Sequence, residues 1–207
     1  MKNLIIIGAS ALGREVASWA KDANPNLVVK GFLDSRADIL DEYDDYPSIV
    51  SDVENYVIQP DDVFICCLGE PYVRKKYIDI IKNKGGSFVS LIHPSAFLGK
   101  NTTIGIGTII QPRVVITSDV QIGNYCVIGI NSTISHDSVI KNFVTVSPGC
   151  DVAGWCHLYD FTFMGIHSCL IPHVVLGQTE GVFVAAGAVV TKSFSAGRIM
   201  GVPAKNK

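Results

Sequence analysis

A period of six residues runs through the second half of the chain. An aliphatic or methionine side chain stands at every sixth position, at Leu98, Ile104, Ile110, Ile116, Ile122, Ile128, Ile134, Ile140, Val146, Val152, Leu158, Met164, Leu170 and Leu176. Four residues after each of these stands a small or thin side chain, and only Glu180 breaks that rule. A sustained period of six fits neither an α-helix nor a simple strand, and it is typical of a β-helix.

Counting in hexads predicts how such a solenoid is built. Three hexads make one triangular coil, so residues 98–187 correspond to five coils. The first and fifth positions of each hexad are expected to fill the interior. After Leu176 the register slips by two, which indicates a small insertion over 178–183 before the pattern resumes at Val184. Residues 194–207 are expected to cap the end of the solenoid, because its edge strands need covering.

The first 92 residues follow a different pattern, in which short apolar runs alternate with amphipathic segments. Strands are predicted over 3–7, 28–33, 63–68 and 88–92, and helices over 11–22 and 72–84. Strands that alternate with helices are typical of a parallel sheet with right-handed crossovers. We therefore expect a Rossmann-like α/β domain over 1–92, a junction at His93-Pro94, and the solenoid over 93–207.

Charge and composition narrow the class of protein. Residues 1–92 carry 10 Lys/Arg against 14 Asp/Glu, the remainder carries 7 against 5, and the net charge of −2 argues against nucleic-acid binding. No segment approaches the roughly 20 apolar residues of a membrane span. Cys126, Cys150 and Cys156 fall at the small inward position of their hexads, so they are predicted to be reduced core residues. Reduced cysteines predict a cytoplasmic protein.

A glycine-rich turn separates the first predicted strand from the first predicted helix. Backbone N–H groups at such a helix start suit a phosphate, and Asp34 lies where a dinucleotide fold places a ribose-binding acid. However, Ser10 replaces the middle glycine of that motif, and the domain is only half of a dinucleotide fold. A mononucleotide or nucleotide-sugar at the strand ends is favoured over NAD. The alternative is a turn that only packs helix on strand.

The hexad arithmetic also identifies a candidate catalytic corner. His136 is the third residue of its hexad and therefore lies outside the core, beside Asp137 and one coil from Gly154. An imidazole can take a proton from an attacking amine or hydroxyl, a carboxylate can orient the ring, and a peptide N–H can stabilise an oxyanion. The alternative is an ordinary surface histidine beside an acid. No metal site is expected, because no two histidines have the five-residue spacing of the zinc enzymes built on this solenoid.

Several motifs together give the chain a family resemblance over nearly its whole length. They are Ile7-Gly-Ala-Ser10, Phe32-Leu-Asp34, Leu68-Gly69 before Arg74-Lys-Lys76, Leu91-Ile-His-Pro94, Ser135-His-Asp137, Ser147-Pro-Gly149, Gly187-Ala-Val-Val-Thr-Lys192 and Gly201-Val-Pro-Ala-Lys205. The chain thereby resembles the nucleotide-linked amino-sugar N-acetyltransferases, which join a Rossmann-like domain to a trimeric left-handed parallel β-helix, the hexapeptide-repeat solenoid. The sialic-acid O-acetyltransferases share this layout.

The resemblance assigns expected roles position by position. His136 matches the general base, Asp137 the acid that raises its basicity, and Gly154 the peptide N–H for the oxyanion. Contacts to CoA are implied at Thr145, Ile166 and Ala186, and the nucleotide-sugar is implied at Ser10, Ala11, Leu12, Asp34, Ser35 and Gly69. Leu12 and Ser35 depart from family members that have His and a second acid there, which leaves the identity of the nucleotide and sugar open. Thr145 replaces a histidine that contacts CoA in the family, but most of the family's CoA contacts are made by the backbone.

The resemblance implies a homotrimeric, acetyl-CoA-dependent enzyme without metal that acetylates the amino group of a nucleotide-linked, 4-amino-deoxy sugar for surface polysaccharide or glycan assembly. Three alternatives stay open. The first is a sugar O-acetyltransferase, and the second is a non-catalytic nucleotide-sugar-binding scaffold protein. The third is an acetyltransferase of serine or a small amine, whose first domain serves only as a cap.

Overall fold

The computed structural model describes residues 1–207, which form two compact units, Met1–Leu91 and Ile92–Lys207. The first unit is built on a four-stranded sheet of parallel strands. Its strands are β1 (Lys2–Ile7), β2 (Leu27–Leu33), β3 (Ile49–Ser51) and β4 (Asp62–Cys66), in the spatial order β3-β2-β1-β4, and its helices are α1 (Ala11–Ala23) and α2 (Pro71–Asn83). This order is that of a Rossmann-like half, and it brings the carboxyl ends of all four strands to one edge.

Local sequence explains where the two helices begin and what they bury. α1 begins directly after Ser10 and buries Val16, Trp19 and Ala20 on one face. α2 begins with Pro71, which suits the first helical position, and the Glu70 carboxylate caps it by accepting from the Val73 amide at 2.6 Å. Each helix is therefore set immediately behind a strand end, where the loops that follow β1 and β4 meet.

Two predictions for the first unit need correction. The predicted strand over 88–92 is not continuous: Phe88 forms an isolated bridge with Phe64, whereas Leu91–Ile92 is strand β5 of a solenoid sheet. The prediction was wrong because a run of apolar residues does not reveal which sheet each of them joins. The sequence reading also missed β3, since three residues with one exposed side chain carry too weak a pattern.

The second unit is a left-handed parallel β-helix with three faces. Face one contains β7 (Thr103–Ile104), β10 (Gln121–Ile122), β13 (Val139–Ile140), β16 (His157–Leu158) and β19 (Val175–Leu176). Face two contains β5, β8 (Ile109–Ile110), β11 (Val127–Ile128), β14 (Thr145–Val146), β17 (Phe163–Met164), β20 (Val182–Val184), β22 (Gly197–Met200) and β23 (Lys205–Asn206). Face three contains β6 (Phe97–Leu98), β9 (Val115–Ile116), β12 (Thr133–Ile134), β15 (Asp151–Val152), β18 (Cys169–Leu170) and β21 (Val189–Val190).

The hexad rule explains the interior of the solenoid. First-position side chains are buried from Ile110 onward, whereas Leu98 in the edge strand β6 is 37% exposed. Fifth-position side chains are small because they fill a narrow interior, and several of those with a hydroxyl or thiol group donate to a backbone carbonyl of the next coil. Ser132 Oγ donates to Ser147 O at 2.9 Å, and Cys150 Sγ donates to Gly165 O at 3.1 Å. The fifth position therefore both packs the core and satisfies a buried acceptor.

The fourth position of each hexad turns the corner. Its residues adopt left-handed backbone conformations with φ between 55° and 64° where they are not glycine: Asn101, Arg113, Asp119, Tyr125, Asn131, Asp137, Phe143, Trp155, Phe161, His167 and His173. Such φ values are uncommon outside glycine, so the repeated coil geometry enforces them. Because every third hexad returns to the same corner one coil further on, these residues form three columns, one at each corner of the prism.

At the corner between faces one and two, here called the ladder corner, the third-position amides donate to side chains of the same corner. Ile106 N donates to Asn124 Oδ1 at 2.9 Å, Asn124 N to Asn142 Oδ1 at 2.9 Å, and Asn142 N to Asp160 Oδ1 at 2.8 Å. Beside this ladder the rings of Tyr125, Phe143 and Phe161 stack with centroids 5.1 and 5.3 Å apart. The result is a corner closed by hydrogen bonds and aromatic contacts.

The C-terminal end departs from the regular repeat. β20 pairs with β17 through Phe163↔Phe183, and Phe183 lies two residues further along the chain than three hexads would place it. Two residues are therefore inserted after Leu176, as the register slip predicted. β22 then extends face two in parallel, and β23 folds back antiparallel to it, so the last strands cover the end of face two. Neither α1 nor α2 combines the length and apolar character of a membrane-crossing helix.

Candidate functional site

His136 stands at the corner between faces three and one, which we call the His136 corner. Its side chain is 57% exposed, and Nδ1 lies 2.8 Å from Asp137 Oδ2. Asp137 is the fourth-position residue, with φ of 59°, so the corner turn itself aims its carboxylate back at the ring. Because a carboxylate only accepts, Nδ1 carries a hydrogen, and in the neutral ring Nε2 then presents its lone pair.

Gly154 lies one coil away, directly against the His136 ring. A Cβ atom at Gly154 would sit 2.7 Å from His136 Cε1 and 2.9 Å from Nε2, so only glycine leaves the ring in this position. The backbone N–H of Gly154 has no acceptor within the chain. The corner thus combines a proton acceptor with an open N–H donor, which are the two groups that acyl transfer requires.

Trp155 is a further member of this corner that the sequence reading missed. Its amide donates to His136 O at 3.0 Å, and its ring meets the His136 ring nearly edge-on, with centroids 6.4 Å apart and planes at 88°. Its other neighbour is His173, whose ring is stacked at 6.2 Å, and the indole is 50% exposed. The spacing of three hexads between Asp137, Trp155 and His173 was the signal that could have revealed this column.

The predicted CoA contacts fall elsewhere on the solenoid. Ile166 and Ala186 lie one coil apart at the corner between faces two and three, where Gly187 N donates to Ile166 O at 2.9 Å, and both residues are exposed. Thr145 lies in β14 on face two and is only 4% exposed. Within one chain the structure therefore brings Ile166 and Ala186 together but does not bring them, or Thr145, to the His136 corner.

The turn after β1 leaves the start of α1 open. Gly8 has φ of 94°, and a Cβ at Gly13 would lie 1.9 Å from Gly8 O, so both glycines are needed for helix and turn to meet. Ser10 is the N-cap residue but makes no side-chain cap, and no acidic residue stands in the first turn. Ser10, Ala11 and Leu12 therefore surround a helix start with positive electrostatic character, as a phosphate requires.

Asp34 lies next to this turn, and both of its carboxylate oxygens already accept hydrogen bonds from within the chain. Its Oδ2 accepts from Ala9 N at 3.0 Å and Arg36 Nη2 at 2.8 Å, and its Oδ1 accepts from Arg36 N at 3.1 Å and Nε at 2.9 Å. Burial raises the pKa of Asp34, but the hydrogen bonds from Arg36 and Ala9 outweigh burial and hold this pKa below its ordinary value. Ser35, between them, is exposed. The sequence reading did not single out Arg36.

The backbone carbonyl of Gly69, in the loop after β4, is fixed by a side chain of the same unit. Arg74 of α2 is fully buried, and its Nη1 donates to Leu68 O at 2.7 Å and to Gly69 O at 3.0 Å. A Cβ at Gly69 would meet nothing within 4 Å, so this position faces open space. The motif that contains Arg74 was part of the family resemblance, and the structure gives it a specific task, which is to fix the carbonyls of this loop.

A cavity of about 220 Å³ lies at the carboxyl edge of the sheet. Its wall combines apolar side chains with several polar and charged ones. It is lined by Ile7, Gly8, Leu33, Asp34, Ser35, Arg36, Val53, Glu54, Leu68, Val73 and Tyr77. A second, more open depression of about 540 Å³ is lined by Ser10, Ala11 and Arg14 together with acidic residues of 38–42 and Tyr43. No cluster of three His, Cys, Asp or Glu side chains has the arrangement of metal ligands.

Comparison with known proteins adds to this geometry. The PglD N-terminal domain family matches residues 3–81, and the bacterial transferase hexapeptide family matches residues 101–136. Over 113 residues the chain is 31% identical to a GDP-perosamine N-acetyltransferase of Escherichia coli O157:H7, a match covering 48% of this chain and 51% of that protein. Over 114 residues it is 29% identical to a UDP-N-acetylbacillosamine N-acetyltransferase of Bacillus subtilis, covering 54% and 52%.

Solved structures match over the whole chain. The acetyltransferase domain of PglB from Neisseria gonorrhoeae superposes with a TM-score of 0.89 at 23% identity, covering 100% of both chains. A histidine-to-asparagine mutant of perosamine N-acetyltransferase from Caulobacter crescentus, in complex with CoA and GDP-perosamine, superposes with a TM-score of 0.88 at 25% identity, covering 100% of this chain and 97% of that one.

The sequence matches and the structural matches differ in the length of chain that they cover. The chain spans about half the length of the two curated relatives that it matches, whereas the structural matches run end to end. The match of residues 3–81 to the PglD N-terminal domain family and of residues 101–136 to the bacterial transferase hexapeptide repeats, together with these relatives, confirms the predicted resemblance to the nucleotide-linked amino-sugar N-acetyltransferases.

Proposed function

We propose that this protein is an acetyl-CoA-dependent N-acetyltransferase that acts on the amino group of a nucleotide-linked, 4-amino-deoxy sugar and supplies surface polysaccharide or glycan assembly. The observation that carries the proposal is the His136 corner, where a carboxylate-held imidazole faces an open peptide N–H. The relatives named above are N-acetyltransferases of amino sugars, and the Caulobacter crescentus structure contains CoA and GDP-perosamine. Both points support this substrate class.

His136 acts as the general base. As the sugar amine attacks the acetyl carbonyl carbon, Nε2 takes the proton that the amine loses. The Asp137 carboxylate, 2.8 Å from Nδ1, stabilises the imidazolium that forms. When the C–S bond breaks, the imidazolium returns its proton to the sulfur of CoA, and the base is regenerated with the amide formed.

Gly154 supplies the electrophilic assistance. Negative charge develops on the acetyl oxygen in the tetrahedral intermediate, and a preorganised donor is most effective at that point. The Gly154 N–H has no acceptor within the chain, so it is available without breaking an existing hydrogen bond. The absence of a side chain at Gly154 lets the imidazole lie directly against this peptide.

CoA binding involves more than one chain in this proposal. Thr145, Ile166 and Ala186 lie away from the His136 corner of their own chain. A homotrimer would place the Ile166 corner of one subunit opposite the His136 corner of the next, with CoA between two solenoids. In the first unit, Ser10, Ala11 and Leu12 would receive the diphosphate at the start of α1, and Ser35 and Gly69 would border the nucleoside. The cytoplasmic location stays a prediction.

Replacement of the general base tests the proposal. We expect His136→Ala to fold and assemble as the wild type does, yet to transfer acetyl at least about 100-fold more slowly, because the proton acceptor is lost. CoA release with a panel of nucleotide-linked 4-amino sugars measures the rate, and circular dichroism with sedimentation measures fold and assembly. His157→Ala is the matched control, since that histidine lies in strand β16 of face one and not in the turn that carries His136. A near-normal kcat in His136→Ala would refute the mechanism.

A further inference from the structure

Arg36 is one of the charged residues that line the cavity in the first unit. Its side chain is 56% exposed, although Nε and Nη2 are both bonded to Asp34 in a bidentate pair. A guanidinium has five N–H donors in one plane. Two of them point at Asp34, so three stay available, and the planar group that carries them is held in a fixed orientation.

The engagement of Asp34 changes the role that the sequence assigned to it. Each of its two oxygens already accepts two hydrogen bonds, and its side chain is only 6% exposed. A carboxylate has about four acceptor sites, so Asp34 has none left for a ribose hydroxyl. Asp34 is therefore a positioning residue that fixes Arg36, and Arg36 is the group that a ligand meets.

The cavity wall has the character of a site for a flat heterocycle. Val53, Leu68 and Val73 give it apolar surface, while Glu54, which follows β3, adds an exposed carboxylate to the rim. Arg36 can only donate and Glu54 can only accept. A ligand that pairs with both groups therefore offers acceptors to Arg36 and a donor to Glu54, and its faces meet the apolar wall.

We propose that Arg36 reads the base of the nucleotide-sugar and selects guanine, an inference that rests on the proposed function and deepens it. Guanine offers O6 and N7 as adjacent acceptors, which is the pattern that an arginine pairs with bidentately. Its N1–H and N2–H₂ donors then suit the Glu54 carboxylate. Uracil and thymine present one acceptor beside a donor at this edge, and adenine and cytosine present an amino group, so each makes a poorer match.

Calorimetric titration with nucleoside diphosphates and no CoA tests the inference apart from catalysis. We expect the wild type to bind GDP at least about tenfold more tightly than UDP or dTDP, since a bidentate arginine–guanine pair discriminates by that order. Arg36→Gln should lower the affinity for GDP about tenfold or more and leave the affinity for UDP within threefold. Arg113→Gln, an exposed arginine of the solenoid, is the matched control and should bind as the wild type does.

Analogues of the nucleotide extend the test to the wild type, so that part of the result does not depend on whether the variant folds. On the wild type, 7-deaza-GDP lacks the N7 acceptor and inosine diphosphate lacks the N2 amino group, so both should bind more weakly than GDP. On Arg36→Gln the penalty for 7-deaza-GDP should vanish while the penalty for inosine diphosphate persists. Equal loss of GDP and UDP in Arg36→Gln would show that Arg36 reads the diphosphate and would overturn the inference. Absence of nucleotide binding, or no preference for GDP, in the wild type would overturn it as well.

The outcome for base selection is distinguishable from the outcome for the proposed function. If GDP binds selectively but no nucleotide-linked amino sugar is acetylated, the role of Arg36 survives and the proposed function fails. If acetyl transfer proceeds with a UDP-linked sugar and not with the GDP-linked one, the proposed function survives and the role of Arg36 fails.

Discussion

The ladder corner and the His136 corner are built from the same hexad, yet they treat their backbone in opposite ways. At the ladder corner, the third-position amides of Ile106, Asn124 and Asn142 each find a side-chain acceptor one coil along. At the His136 corner, the equivalent residue after His136 is Gly154, which has no side chain, and its N–H has no acceptor within the chain. One corner satisfies these amides internally, and the other leaves the Gly154 N–H unpaired.

Under the proposed function, stability and activity occupy different corners of one regular framework. A hydrogen bond within the ladder lowers the free energy of the folded chain. The unpaired N–H of the buried Gly154 lowers the stability of the folded chain but can stabilise an oxyanion. Substitutions at matched hexad positions should therefore separate into those that lower activity and those that lower stability.

The largest effect is expected for Gly154→Ala. The added Cβ would lie 2.7 Å from His136 Cε1, and because the contact is with ring atoms of a mobile side chain, the ring will move rather than the coil unfold. A displaced general base costs about 100-fold in kcat. Steady-state kinetics measures the loss, and thermal unfolding should stay close to that of the wild type. A variant that kept kcat within threefold would show that the close contact with Gly154 has no catalytic role.

A smaller effect is expected for Trp155→Ala. The indole packs edge-on against the His136 ring, and such ring contacts contribute about 0.5–1.5 kcal/mol, so kcat should fall about fivefold through looser positioning of His136. Phe143→Ala is the matched control, since Phe143 occupies the same hexad position in the stack of the ladder corner. The control should lower the free energy of unfolding and spare kcat. Equal losses of kcat in the two variants would erase the distinction between the corners.

The smallest effect is expected for Asn142→Ala. This change removes the acceptor of the Asn124 amide, and it should lower the free energy of unfolding by about 1 kcal/mol because the site is partly solvated. The kcat should stay within twofold of the wild type. Urea unfolding at one fixed protein concentration gives the stability, with the neighbouring exposed Lys141→Ala as control. A loss of activity without a loss of stability would mean that the ladder serves catalysis after all.

The sequence predicted most of the solenoid because each hexad position has one environment. A first-position aliphatic such as Ile134 points inward in every coil, so simple counting brought His136 next to Asp137 and Gly154. The same counting could have found the ladder, since Asn124, Asn142 and Asp160 also follow one another at intervals of one coil. The ladder was overlooked because a polar residue on a surface carries no apolar pattern to draw attention to its spacing.

The first unit was predictable in outline only. Its sheet has no repeat, so nothing in the sequence showed that Ile49–Ser51 pairs with β2. Nor did the sequence show that Phe88 pairs with Phe64 whereas Leu91 joins a sheet of the solenoid. Asp34 was singled out from its position after a strand, but its hydrogen bonds depend on the direction taken by Arg36 two residues later. Side-chain direction in a loop follows from tertiary contacts, and no local pattern reports it.

The buried thiols of the two units can report which unit unfolds first. Burial raises the pKa of Cys66 to about 12, and burial also raises the pKa of Cys150 and of Cys156, so none of these sulfurs reacts as a thiolate while its surroundings are intact. Cys66 lies in the sheet of the first unit, and Cys150 and Cys156 lie on consecutive hexads of the solenoid. The order in which an alkylating reagent marks them in a partly denatured sample therefore records which unit loosens first.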